Sequence, residues 1–156
     1  MQTNMRDALL LYADAFEQLA SISAVLGGLS FTAAAAVVAV GAGTNNPSAL
    51  KRAAKVTVAT AMLSAVFLVF AALMWSLMAA DVVREVANED LKGAKYYARL
   101  NWVPSICLLT GTCLFFSSIG VSGWIASKKL GIITVTAAIV GLFGLVSLIL
   151  VFADIK

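Results

Sequence analysis

The sequence predicts an all-α membrane protein with four transmembrane helices, and three observations lead there. The 156 residues are 62% hydrophobic and only 12% charged, with a mean hydropathy of +0.97. A soluble domain sits nearer half apolar and a quarter charged. The charges are also clustered, which leaves four long uncharged runs, and a membrane-spanning helix needs about 20 mostly apolar residues. The expected spans are 19–42, 54–80, 101–126 and 130–153, forming a single domain over 1–156.

The first helix is expected to start before its span, from about Met5. Leu9, Leu10, Ala13, Phe16 and Ala20 share a helical face that Asp14 and Glu17 avoid. The start, MQTNMRDALLLYADAFEQ, carries acids where a cleavable signal would be basic, so no signal peptide is expected. The first connection, GTNNPSALKR, holds the turn signal Asn45-Asn46-Pro47. Span two is expected to continue as helix to about residue 89. There Val82, Val83 and Val86 fall on one side, while Arg84, Glu85 and Glu89 fall largely on the other. Trp75, near the end of span two, is expected at an interface. Span three is bracketed by Trp102 and Trp124, about 33 Å apart on a helix, which suits two aromatic belts. Pro104 lies in its first turn, where a missing N–H does little harm. The last connection, SKKLG, leaves room only for a tight hairpin between antiparallel helices.

Lysine and arginine near the span ends set orientation. The side holding both termini and the second loop has six (Arg6, Arg84, Lys92, Lys95, Arg99, Lys156), and the other has five (Lys51, Arg52, Lys55, Lys128, Lys129). That count fixes no direction and fits a dual-topology protein as well. All eight acids lie on the side of the termini, so the opposite side is purely basic.

Chemistry is sparse. Histidine is absent, which removes His-ligated haem, the usual zinc sites and His acid–base catalysis. Cys107 and Cys113 do not have the spacing of a redox pair and read as apolar filler. No hydrolase, metalloprotease or phosphate-loop motif occurs. Serine and threonine in such helices usually bond a carbonyl one turn back. Neither an enzyme nor a cofactor is expected, and the scattered basic residues do not suit nucleic acid. No ionisable residue falls mid-span; Asp14 and Glu17, at the mouth of span one, come nearest.

Span one is unusual for its small residues, in SISAVLGGLSFTAAAAVVAVGAG. Gly28, Thr32 and Ala36 form a stripe of period four, extended towards the N-terminus by Val25, Ser21 and Asp14. Small residues let helix backbones approach closely. Span one is therefore expected to be the buried helix, wrapped by the bulkier others. Two causes produce such a stripe: tight packing within one bundle, or convergence of several copies about an axis that leaves a narrow pore.

Three stretches resemble the Orai-type (calcium release-activated) calcium channels. SAVLGG (Ser23–Gly28) is similar to the start of that family's pore helix. VFAALMWSLMAADVVREV (Val69–Val86) is similar to the end of its second helix, and LNWVPSICLLTGTCLFF (Leu100–Phe116) to its third. The resemblance implies four spans, a second helix running past the membrane, and several subunits around a pore lined by the first helix. It puts the pore wall at Val25, Gly28, Leu29 and Thr32, to which the small stripe adds Ser21 and Ala36; by residue type alone, Asp14 and Glu17 are either a solvated helix end or an acidic pore mouth. The family's selectivity glutamate falls on Ala36, so the calcium filter is absent. Ser21 stands where the family has a basic residue, and Ser117 and Ser118 stand where it keeps an acid. The C-terminal coiled-coil extension has no counterpart before Lys156.

The expected function is that of an ion-channel-like homo-oligomer conducting cations. The expected partners are the lipid bilayer, further copies of the chain and inorganic cations, and the expected place is a cell (plasma or inner) membrane. A small dual-topology transporter or a non-transporting membrane scaffold is the alternative.

Overall fold

A computed structural model of the protein describes residues 2–42, 52–88 and 100–153. They form four helices: α1 (Gln2–Ala42), α2 (Arg52–Ala87), α3 (Trp102–Ala126) and α4 (Lys128–Ala153). Three segments are long and apolar enough to cross a membrane: Arg6–Ala39, Arg52–Ala87 and Trp102–Ile125. At 41 and 36 residues, α1 and α2 are about 60 and 54 Å long, well beyond the ~30 Å of bilayer hydrocarbon. The Asn45-Asn46-Pro47 signal, Glu89, Lys92, Lys95 and Arg99 lie outside the described residues.

The α1–α2 pairing follows from spacing. The inward residues of α1 are Leu9, Ala13, Phe16, Ala20, Ser23, Gly27, Ser30 and Ala34, separated alternately by four and three positions. On α2 the buried series Ala54, Thr57, Ala61, Ser64, Leu68, Ala71, Trp75, Met78 and Val82 alternates in the same way. That period is 3.5 residues, slightly below the 3.6 of a straight helix. Two helices keep such seams in contact by winding left-handed around each other. The pair is antiparallel: Phe16 meets Trp75 and Ser30 meets Ser64.

Packing follows chain order, α1 on α2, α2 on α3 and α3 on α4, with only light contact between α1 and α3. The four helices form a row in which α2 and α3 are the inner members. This corrects the expectation that span one is wrapped by the others: α1 stands at the edge. The reason lies in α2, whose small and medium residues are buried on both flanks of its seam, including Ala65 and Ala79.

The α3–α4 hairpin is as tight as predicted. Ser127 alone separates the helices, in an extended conformation, and its hydroxyl accepts a hydrogen bond from the Leu130 N–H at 3.2 Å. That bond caps the start of α4. Glycines let the helices close: Cβ atoms at Gly131 and Gly141 would collide with the rings of Trp124 and Phe116.

At one end of the α1–α2 pair lies a bulkier core of Leu9, Phe16, Trp75, Met78, Val82 and Val86. The Phe16 and Trp75 rings are 5.1 Å apart. Trp75 is 2% exposed, and its Nε1 has no hydrogen-bond partner, so it is a core residue and not the interfacial one its sequence position suggests. The helical extension after Asp81 forms and ends at Ala87, with Val82 and Val86 inward; Val83 faces outward, unlike the expectation.

Candidate functional site

The candidate site is the side of α1 turned away from α2. Asp14, Glu17, Ser21, Val25, Gly28, Leu29, Thr32 and Ala36 are all exposed on the single chain. Val25 is 59% and Leu29 54% exposed, and a Cβ added at Gly28 would meet no atom within 4 Å. The eight residues singled out in the sequence therefore lie on the outward surface of the chain, and Ser21 and Gly28 also border a groove shared with α2. The Thr32 hydroxyl donates to the Gly28 carbonyl at 2.8 Å, the one-turn-back bond that costs the helix no unsatisfied group. Thr32 thus presents its methyl group and a hydroxyl oxygen that can still accept.

One residue away the surroundings invert. Consecutive helical residues are about 100° apart. A Cβ on Gly27 would stand 3.3 Å from Val69 Cγ2 and 3.4 Å from Leu68 Cβ. A Cβ on Gly111 of α3 would stand 2.7 Å from Leu68 Cγ. Leu68, fully buried, therefore fills the gap that two glycines on opposite neighbours leave open. Beside it runs a polar link across three helices. The Ser64 hydroxyl donates to the Gly111 carbonyl at 2.7 Å, and Ser30 and Ser64 oxygens are 3.1 Å apart. Ser64 has a single hydroxyl hydrogen, already committed to Gly111, so Ser30 is the donor of the second bond. This link ties the register of α1 to α2 and α3.

An apolar groove of about 980 Å³ runs between α1 and α2, bordering the outward face. Ala24, Gly27, Gly28 and Phe31 line it from α1, and Val66, Val69, Phe70 and Leu73 from α2. Cys107 and Cys113 are free thiols, each half-buried. Ser117 is exposed and Ser118 buried, each bonding a carbonyl of its own helix. Among the described residues, no three His, Cys, Asp or Glu side chains come together as a metal site.

The sequence reading singled out the outward face but missed the Ser30–Ser64–Gly111 link and the Leu68 wedge. A signal for the seam was present, in the alternation of four and three from Leu9 to Ala34. Nothing in one sequence pairs Ser30 with Ser64.

No protein-family model matches the chain, and neither do any curated proteins or solved structures.

Proposed function

We propose that the chain crosses a cell membrane four times, assembles with copies of itself around an axis lined by α1, and conducts cations. The observation that carries this reading is the outward face of α1. It combines Ser21, Gly28, Thr32 and Ala36 with Val25 and Leu29, at the free edge of the row. Lipid tails are as apolar as leucine and give a helix no reason to shed side-chain bulk, whereas a neighbouring helix does. The row order also suits radial packing, with α1 innermost and α4 outermost. Asp14 and Glu17 then form repeated acids at one mouth, attractive to cations. The Orai-type resemblance supports the same position for α1, without a calcium filter.

Counting along the helices supports the proposed placement in a bilayer. Trp102 and Trp124 are 63% and 45% exposed, as interfacial tryptophans are. Equal steps from the Leu68–Gly111 contact bring Lys55 level with Trp124. On the other side, Asp81 and Glu85 lie beyond the level of Trp102, so the α1 start and α2 end project together into water.

The reversal potential of purified protein in a planar bilayer under a salt gradient tests the reading. A cation-selective current is expected, lost or inverted in Thr32→Lys. Silence in both, with fold and oligomer size intact, contradicts an open pore.

A further inference from the structure

The two ends of the molecule differ in charge. In the sequence, one end carries five basic residues and no acid, and the other carries six basic residues and eight acids. The fold gathers the basic set. Arg52 and Lys55 open α2, and Lys128 and Lys129 open α4; all four side chains are exposed. Every described acid (Asp7, Asp14, Glu17, Asp81 and Glu85) belongs to the opposite end. Neither α2 nor α4 has an acidic residue in its first turn. Cations at a helix N-terminus oppose the helix dipole, since the unpaired N–H groups there are already partly positive. The C-termini of α1 and α3 lie at the same end and offset the two helix starts, so the positive character of this end comes from the four cations, which have no acid beside them among the described residues. Its depth is marked by Trp124, whose ring packs on Gly131 in the same hairpin and remains 45% exposed. A positive surface at the depth of an interfacial tryptophan faces lipid headgroups.

We propose that the end formed by Arg52, Lys55, Lys128 and Lys129 docks on anionic phospholipid headgroups, which gather around Trp124 in preference to zwitterionic ones. Charge complementarity commits the surface to this partner. The same attraction holds the basic end against the more anionic leaflet and favours a single orientation, in which the α1 start and the α2 end lie on the opposite face. The inference rests on the membrane-spanning part of the proposed function and is independent of conduction.

The tryptophans provide the test. Trp75 is buried and contributes a background that lipid does not reach. In the full chain carrying Trp102→Phe, Trp124 reports on the basic end; in Trp124→Phe, Trp102 reports on the acidic end. Each is reconstituted in phosphatidylcholine vesicles with a minor fraction of brominated phosphatidylglycerol or brominated phosphatidylcholine, and quenching is compared. A surface cation near an anionic leaflet changes lipid association by about fivefold. The brominated anionic lipid is expected to quench Trp124 with at least that preference, and Trp102 with none. The preference should fall in high salt and vanish in the Arg52→Gln, Lys55→Gln, Lys128→Gln, Lys129→Gln variant. Equal quenching of Trp124 by both lipids overturns the proposal, and so does a preference that survives salt. Should the fourfold variant fail to fold, the salt series and the Trp102 comparison decide alone. Protein that inserts normally but shows no lipid preference refutes this inference and leaves the proposed function standing.

Discussion

Gly27 and Gly28 are neighbours in sequence and opposites in environment. Gly27 belongs to the inner seam of α1, where Leu68 and Val69 press against its backbone, whereas Gly28 looks out from the subunit with nothing near it. The same contrast runs along the helix. Ser23, Ser30 and Ala34 are buried, and Ser21, Thr32 and Ala36 are exposed. The inner face of this stretch is built of small residues, and the outer face mixes small residues with the exposed Val25 and Leu29. The inner face has an evident cause in the close approach of α2. The outer face has no such cause within the single chain, and the proposed second copy of α1 would supply one.

The sharpest way to break this comparison is to place the same bulky residue on each glycine. Gly27→Leu forces a side chain into the α1–α2 seam, and overpacking of this kind costs about 1–3 kcal/mol, or more where backbone must move. Gly28→Leu meets open space and should leave subunit stability within about 1 kcal/mol, with some gain in helix propensity. If the outer face meets other copies, Gly28→Leu should instead disrupt the oligomer. Thermal unfolding of each variant, read beside its size in detergent or nanodiscs, separates the two effects. A Gly28→Leu variant that is unchanged in both assembly and stability would assign the outer face to lipid.

Of comparable size is the loss of the wedge. Leu68→Ala removes the side chain that fills the space between Gly27 and Gly111, and such deletions cost about 2–5 kcal/mol. Near-native stability for this variant would mean that the three helices do not depend on that contact.

The serine link is smaller. Hydrogen bonds between membrane helices average about 0.6 kcal/mol and reach about 1.7. Ser64→Ala breaks both bonds of the link and should fall in the upper part of that range, whereas Ser30→Ala breaks one and should fall in the lower. Because Ser64 serves both partners, the double variant should cost less than the sum of the singles. Strict additivity in that cycle would show that the two hydroxyls act separately.

The smallest effect is expected at Trp75. Its indole N–H is buried without a partner, so Trp75→Phe relieves an unsatisfied donor while giving up part of a ring. The two terms oppose each other, and the net change should stay within about 1 kcal/mol. Trp75→Ala, by contrast, should cost about 3–5 kcal/mol.

Much of the fold was legible because hydropathy and helix signals are local. The apolar runs became helices near their predicted bounds, Ser127 made the predicted hairpin, and α2 continued past Asp81 to Ala87. What was illegible depends on register between helices. Hydropathy says that a residue avoids water, not whether lipid or protein meets it, so span one was wrongly expected at the centre of the subunit. Reading every fourth residue selected Gly28, Thr32 and Ala36, the outward stripe. The packed seam instead alternates four and three, from Leu9 to Ala34, and drifts away from a fixed period of four. Trp75 shows the same ambiguity, since a tryptophan near the end of a span serves an interface or a core equally well, and only Phe16 across the seam decides it.

The claim at the centre of this account is that the outward face of α1 meets its own counterpart in another subunit. Disulfide cross-linking in native membranes tests it directly, using single cysteines in a Cys107→Ser, Cys113→Ser background. Cysteines at Val25, Thr32 and Ala36 should each give cross-linked dimers on mild oxidation, whereas cysteines at Val66 and Leu73, equally outward but on α2, should not. Cross-links at the α2 positions with none along α1, or no cross-links at any position, would contradict the account and assign the outward face of α1 to lipid.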